Sequence, residues 1–294
     1  MPYKENIQSP NPTCFIFLID QSGSMSEDWG KESGKKKADG VADAINRLLK
    51  ELVERCASGE SVKDRIWVGV IGYGKGGRAG PAFGGALANL KPTCQVKECL
   101  AQHEGLVPIS EVASNPLRIE QRKQKQYDGA GGYIEVDFEF PIYFDPVADG
   151  GTPMCDAFRL ARPILQDWTN KHPKCFPPIV VNITDGESTD GDPSQDAAAL
   201  KGLNTTDGNV LVFNCHISSK RDNEIILPDN ESGLPDQFAL LLYQMSSPLP
   251  TTMIPTAQQL GFSNVNDRTR GFAFNADLVT LIQFLQFGTI GNLR

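Results

Sequence analysis

The sequence has few histidines, no excess of basic residues and no long apolar run. Its three histidines are far apart in the chain, which argues against a zinc site. Acidic residues outnumber basic ones by 36 to 28, and the net charge of −8 leaves no basic field to attract nucleic-acid phosphates. No apolar run approaches the ~18 residues that a membrane span needs. We therefore expect neither a nucleic-acid partner nor a membrane.

The cysteines are scattered and odd in number. There are seven, and two of them, Cys14 and Cys215, lie in apolar segments. Reduced, structural thiols fit this usage better than a disulfide framework does. Cys94 and Cys99 form a C-x4-C pair that has no matching second pair. The polar N-terminus also lacks the apolar segment of a signal peptide. These features predict a cytoplasmic location.

Apolar runs alternate with helical patterns along much of the chain. The runs that predict strands are at 14–19, 66–71, 179–183 and 210–217. Helical patterns occupy 35–56, 192–203, 235–245 and the segment from Asn275 to Gly288. Strands that are apolar on both faces are typical of a sheet covered by helices on each side. We therefore predict a mostly parallel, doubly wound α/β sheet flanked by helices.

The segment at about 75–148 interrupts this alternation. It begins glycine-rich, continues polar and ends in a strand of period two. Ile134, Val136, Phe138 and Phe140 are expected on one face of that strand, and Glu135, Asp137 and Glu139 on a solvated one. We interpret the segment as an insertion into a single domain at 12–290 that follows a tail at 1–11. The basic run KESGKKK at 31–37 is interpreted as a solvated helix start.

Hydroxyl and carboxylate side chains follow two predicted strands and precede one predicted helix. Asp20, Ser22 and Ser24 follow the first strand, Thr152 precedes a helix that is expected to begin at Pro153, and Asp185 ends a later strand. Ligands of parallel α/β sheets bind outside the carboxyl ends of the strands. An all-oxygen set suits Mg²⁺ or Mn²⁺. Each group alone could be an ordinary helix cap or turn, but their combination favours a metal site.

Three segments carry a family resemblance. FIFLIDQSGSMS, GGTPM and NITDGES resemble the three loops of the metal-ion-dependent adhesion site of von Willebrand factor A (vWA) domains. The family pattern of D-x-S-x-S, then threonine, then aspartate is matched at all five positions. The resemblance covers roughly 12–75 and 146–290, and the segment between them is longer than the family usually carries there.

The resemblance implies a role for each residue. Ser22 and Ser24 would bind the metal directly, and Thr152 directly or through water. Asp20 and Asp185 would act mainly through water and through hydrogen bonds to the hydroxyl ligands. A cation with mostly neutral direct ligands would keep an open position for an acidic residue of a partner protein. Glu27, Asp28 and Trp29 follow the first loop and are expected at the rim of such a contact.

The function implied is a metal-dependent protein-binding module and not an enzyme. The chain resembles bacterial intracellular vWA proteins of the tellurite-resistance-associated type. That likeness implies a cytoplasmic adaptor or regulator in a stress or signalling system. Its partner would be a protein kinase and phosphatase pair or an AAA+ ATPase.

Two alternatives stay open. A Mg²⁺-dependent phosphohydrolase of the haloacid-dehalogenase type also places an aspartate after its first strand. Such enzymes normally add a second aspartate two residues later, where this chain has Ser22, and no phosphate-binding lysine can be assigned. The second alternative is a structural vWA fold that makes no use of metal.

Overall fold

The computed structural model describes residues 3–30, 34–89, 105–127, 129, 131–219 and 223–290. Its strands are β1 Thr13–Asp20, β2 Ala57–Ser58, β3 Ser61–Val62, β4 Ile66–Tyr73, β5 Ala79–Pro81, β6 Val107–Pro108, β7 Arg118–Tyr127, β8 Tyr133–Ile142, β9 Ile179–Thr184, β10 Asn204–Thr205, β11 Gly208–Asn209, β12 Leu211–His216, β13 Ile225–Ile226 and β14 Phe272–Phe274. Its α-helices are α1 Lys37–Cys56, α2 Ile109–Ser114, α3 Met154–Lys171, α4 Ser194–Lys201, α5 Gln237–Met245, α6 Ile254–Gln259 and α7 Leu278–Ile290. Short 3-10 helices occupy Gly23–Ser26, Lys75–Gly77 and Gly85–Asn89.

One large sheet organises these elements. Its strand order is β13-β14-β12-β9-β1-β4-β5, and β6 also pairs with β4. The central pairs are parallel, whereas β5, β6 and β13 pair antiparallel near the edges. The predicted mostly parallel sheet is confirmed, and all four predicted strands belong to it.

Helices cover both faces of the sheet because its central strands are apolar on both sides. The β1 residues that face the layer of α1, α2, α6 and α7 are Phe15, Phe17 and Ile19. The β1 residues that face the layer of α3, α4 and α5 are Cys14, Ile16 and Leu18. Two hydrophobic cores therefore enclose β1, and its carboxyl end emerges between them.

The strand order changes direction around β1. The chain passes from β1 through α1 to β4 on one side, and later through α3 to β9 on the other side. Because α1 follows β1 on one face and α4 follows β9 on the other, the carboxyl ends of β1 and β9 flank the crevice in which ligands of such sheets bind. The predicted site residues lie at this edge.

Part of the predicted insertion forms a two-stranded ribbon. Strands β7 and β8 pair antiparallel from Arg118 opposite Ile142 to Tyr127 opposite Tyr133. The period-two prediction for β8 is confirmed, since Glu135, Asp137 and Glu139 are exposed while Phe140 is buried. The division into one domain, an insertion and a tail stays a prediction.

The base of the ribbon rests on α1. Arg122 of β7 forms an ion pair with Asp43 of α1, and its guanidinium lies 3.7 Å from the centre of the Phe140 ring. The exposure of β8 rises from this buried base to the tip, where Ile134 and Tyr133 are 52% and 72% exposed. In the part of the ribbon that the structure describes, burial is greatest near the base and least near the tip.

Several details differ from the sequence predictions. Helix α7 extends two residues past Gly288, and α3 begins at Met154 with Pro153 as its N-cap residue. Residues from Tyr3 onward are attached to the body, because the Tyr3 amide donates to the Asp207 carbonyl and Ile7 is buried. Helix α1 does begin in the basic run, but Lys37 is buried, so the prediction of a solvated start is wrong for this residue.

The cysteine prediction holds for the described residues. Their cysteines, Cys14, Cys56, Cys155, Cys175 and Cys215, are free and buried. Cys94 and Cys99 lie outside the described residues. Of the helices that the structure describes, none is long and apolar enough to cross a membrane.

Candidate functional site

Asp20 anchors the loop that leaves β1. Its side chain is completely buried, and its two oxygens accept hydrogen bonds of 2.8 Å from the Ser22 amide and from the Thr184 hydroxyl. The second bond joins the ends of β1 and β9. Burial raises the pKa of Asp20 to about 6, with a further contribution from the negative charge of Asp185, and the two hydrogen bonds only partly oppose this shift. Asp20 therefore orients the loop, but its ionised form is unfavourable in this buried position. A bound cation would stabilise the negative charge.

The two serines and Asp185 form a chain of close oxygen atoms. Ser24 Oγ donates to Asp185 Oδ1 over 2.9 Å, and Ser22 Oγ lies 3.0 Å from Ser24 Oγ. Either hydroxyl can donate in the Ser22–Ser24 pair. Ser22 and the Asp185 carboxylate are buried, whereas Ser24 between them is exposed, so the row reaches solvent at its middle residue.

The spacing of these oxygens suits a divalent cation. With Mg²⁺–oxygen bonds of about 2.1 Å, neighbouring ligands of an octahedron are separated by about 3.0 Å. The Ser22–Ser24 and Ser24–Asp185 separations of 3.0 and 2.9 Å are hydrogen bonds here, and they also come close to that edge, so a cation could replace the protons between these oxygens with little movement. Among the described residues, no group of three or more histidine, cysteine, aspartate or glutamate side chains could hold a metal. A cation at this edge would therefore need hydroxyl ligands.

The loop that carries Thr152 packs between the other two loops. On one side, the Gly23 amide donates to the Gly150 carbonyl over 2.9 Å. On the other side, the Thr152 amide donates to Thr189 Oγ1 over 3.0 Å, and the Thr189 amide donates to the Thr152 carbonyl over 2.9 Å. Thr152 is nearly buried. The three loops predicted to share a site do meet at one edge.

Glycine makes this close approach possible at Gly150. Its φ of +88° is in the left-handed region, and a Cβ there would lie 2.2 Å from the Gly74 carbonyl oxygen. Gly74 follows β4, so this contact ties a fourth loop to the same edge. A side chain at Gly150 would push the loops apart.

Lys37 is a site residue that the sequence analysis missed. Its ammonium nitrogen lies 2.6 Å from Asp185 Oδ2 and 3.1 Å from Glu27 Oε2. Glu27 also accepts a 2.6 Å hydrogen bond from Ser219. This hydrogen bond and the contact with Lys37 lower the pKa of Glu27. One signal was available in the sequence, because Lys37 precedes Val41 by four residues and so belongs to the buried stripe of α1.

Asp185 Oδ2 is buried and receives no hydrogen bond from the residues that the structure describes. Lys37 approaches within 2.6 Å, but at an angle outside hydrogen-bond geometry. Charge attraction does not depend on that angle, so Lys37 and Asp185 still form an ion pair at this short distance. Asp185 Oδ2 is therefore in contact with the positive charge of the Lys37 ammonium. A metal ion could occupy the same position beside this oxygen.

Two of the three predicted rim residues are exposed and the third is buried. Glu27 and Asp28 are exposed next to the site. Trp29 is only 1% exposed, and its indole nitrogen donates to the Ala276 carbonyl over 3.1 Å. The ring packs against Gly40 of α1, where a Cβ would be 2.3 Å from it. Trp29 is thus a core residue and not a contact for a partner.

An open cleft of about 290 Å³ lies beside the Asp185 loop. Its lining includes Glu187 and Ser188 from that loop and Phe238 and Leu241 from α5. Both apolar side chains are only partly buried. The cleft therefore offers apolar area on the loop that follows Asp185.

Comparisons with known proteins give distant structural likeness only. No protein-family model and no curated protein matches the chain. Proximal thread matrix protein 1 from the mussel byssus is 14% identical, with a TM-score of 0.39, over 81% of this chain and 42% of that one. The PilB minor pilin from Streptococcus sanguinis is 14% identical, with a TM-score of 0.28, over 63% and 31%.

A third similar structure is the vWF domain of the type V pili tip protein Mfa5 from Porphyromonas gingivalis. It is 12% identical, with a TM-score of 0.29, over 60% of this chain and 38% of that one. This chain spans less than half the length of each of the three proteins. Likeness at this level assigns neither a family nor a function.

Proposed function

We propose that this chain is a metal-dependent protein-binding module of the vWA type, with Mg²⁺ or Mn²⁺ held at the edge formed by Asp20, Ser22, Ser24, Thr152 and Asp185. The observation that carries the proposal is the row of three oxygens from Ser22, Ser24 and Asp185. Their spacing is that of neighbouring ligands of an octahedral cation, and they lie at the switch point of the sheet.

The partner would be a protein that offers a glutamate or aspartate to the cation. Direct ligation by hydroxyl groups leaves most of the metal charge uncompensated, so an incoming carboxylate would be attracted strongly. One such contact cannot give high affinity alone, because association costs several kcal/mol of lost freedom. The cleft beside Phe238 and Leu241 and the exposed Glu27 and Asp28 are the nearest surfaces that could add contact area.

The non-enzymatic role is part of the same proposal. Ser22 stands two residues after Asp20, where a phosphohydrolase of the haloacid-dehalogenase type would need an acid/base aspartate. A cytoplasmic location is supported by the free, buried cysteines of the described residues. The place in a bacterial stress system, with a kinase and phosphatase pair or an AAA+ ATPase, rests on the family resemblance alone.

The proposal is tested by affinity capture on the immobilised chain, with Mg²⁺ or with EDTA. Ser24→Ala removes an oxygen of the row, whereas Ser26→Ala removes a hydroxyl of the same turn that donates to the Gly23 carbonyl and lies outside the row. We expect wild type and Ser26→Ala to retain a protein partner in Mg²⁺ and to release it in EDTA, and Ser24→Ala to retain much less.

Mass spectrometry identifies the retained proteins, and their affinity is then measured with the purified partner. Retention of the same proteins by all three chains, with or without EDTA, would show that the metal edge is not the binding surface.

A further inference from the structure

The side chain of Lys37 points into the site although it begins a helix in a basic run. It is 3% exposed, and the Asp185 carboxylate that it meets is fully buried. Lysine is almost never buried this completely without a paired charge. Lys37 and Asp185 therefore compensate each other in the structure, at the carboxylate that also accepts the Ser24 hydrogen bond.

We propose that Lys37 is the internal counter-cation of this site and competes with the divalent cation for Asp185. The inference rests on the proposed function, since it assigns an affinity-determining residue to the same site. A cation bound by Ser22 and Ser24 would lie next to Asp185, within a few ångströms of the ammonium. Like charges repel strongly where water is excluded.

Glu27 gives the ammonium a second position. Its side chain is 57% exposed and already lies 3.1 Å from Lys37 Nζ. The Ser219 hydrogen bond holds the Glu27 carboxylate in place. The backbone need not move, because the Lys37 amide donates to the Glu27 carbonyl over 3.0 Å and keeps the helix start beside it. A rotation of the lysine side chain would transfer the ammonium from the buried carboxylate to the exposed one.

The first test compares Mn²⁺ binding by calorimetry in wild type, Lys37→Met and Lys36→Met. Methionine keeps an unbranched side chain, one atom shorter than lysine, and removes the charge. Lys36 is exposed, so its replacement controls for the loss of one positive charge near the site. We expect Lys37→Met to bind Mn²⁺ at least about tenfold more tightly than wild type, and Lys36→Met to stay within about twofold.

The outcomes separate this inference from the proposed function. Tighter Mn²⁺ binding by Lys37→Met than by wild type supports the inference. If Lys37→Met binds Mn²⁺ and wild type binds none, the inference still stands and only the proposed function is contradicted. Equal or weaker binding by Lys37→Met, with wild type binding normally, overturns the inference and leaves the function standing. Absence of binding by both chains overturns both.

A second pair of variants keeps the inference testable when Lys37→Met does not fold. Glu27→Gln removes the second position of the ammonium, whereas Asp28→Asn removes one negative charge from the neighbouring exposed residue. We expect Glu27→Gln to weaken Mn²⁺ binding several-fold more than Asp28→Asn does. Equal effects of the two substitutions would mean that Glu27 acts only through its charge. The transfer of the Lys37 ammonium from Asp185 to Glu27 would then be refuted.

Discussion

Asp20 shows how one residue can specify a loop while weakening the fold. Its two hydrogen bonds fix the turn after β1, yet burial and the charge of Asp185 raise its pKa to about 6. The unfolded chain would ionise this group near its usual value of about 4. The folded state therefore binds more protons between these two values, and its stability falls as the pH rises through them.

This fall in stability with rising pH leads to a prediction for solutions that contain EDTA. From pH 4 to 7, wild type should lose up to roughly 3 kcal/mol of unfolding free energy relative to Asp20→Asn, which has no charge to bury. The amide can keep the bond from Ser22, and the Thr184 hydroxyl can rotate to accept from its nitrogen. Urea unfolding of both proteins over this pH range measures the difference, in which other titrating groups cancel. Parallel pH curves would contradict the assigned cause.

At the scale of elements, the ribbon of β7 and β8 is attached to the body through a few contacts at its base. Arg122 combines an ion pair to Asp43 with a stacked position over Phe140. Lys123, the next residue, lies on the opposite face and is 65% exposed, with a 3.5 Å contact to Glu135. The two residues provide a half-buried and an exposed cation on the same strand.

We expect Arg122→Ala to lower the free energy of unfolding by about 1–2 kcal/mol, because the cation–π contact and a half-buried ion pair are both lost. Lys123→Ala should change it by less than about 0.5 kcal/mol, since exposed ion pairs contribute little. Chemical denaturation of both variants measures the effect. Equal small changes would mean that the ribbon base is not held by Arg122.

The elements that could be predicted from the sequence are those with continuous apolar runs or clear helical periodicity. The central strands and α1 are of this kind, because burial on both faces or on one stripe leaves a strong pattern. Strand β7 was missed, since its sequence RIEQRKQKQY is polar and its pairing comes from β8 alone. Strands β13 and β14 were missed because two or three residues carry no period.

At the site, sequence order predicted which loops meet but not the charges that surround them. Hydrogen bonds join Asp20 to the Ser22 amide, Ser22 to Ser24, and Ser24 to Asp185, and their role as metal ligands stays a prediction. Lys37 was predicted to be solvated because its neighbours are basic. The tertiary contact between α1 and the loop after β9 instead buries it beside Asp185. Trp29 was interpreted from its neighbours in the loop, but the gap left by Gly40 accommodates its ring in the core.

On the scale of the whole molecule, the sheet brings distant parts of the chain to one edge. The loops of the candidate site come from residues 20–24, 149–152 and 185–189, on both sides of the predicted insertion. The net charge of −8 draws divalent cations towards the protein in general. The account therefore requires that the cation select this edge over other acidic surfaces, such as Glu135, Asp137 and Glu139 on β8.

Paramagnetic broadening by Mn²⁺ tests this requirement most directly, because each amide resonance reports its own distance from the ion. On titration with Mn²⁺, the amide resonances of Ser22, Ser24 and Asp185 should broaden first, while those of Thr13 and Ile179 at the opposite ends of the same strands stay sharp. Substitution of Ser24 by alanine should abolish this early broadening. First broadening along β8, or none at several millimolar Mn²⁺, would contradict a cation site at the switch point.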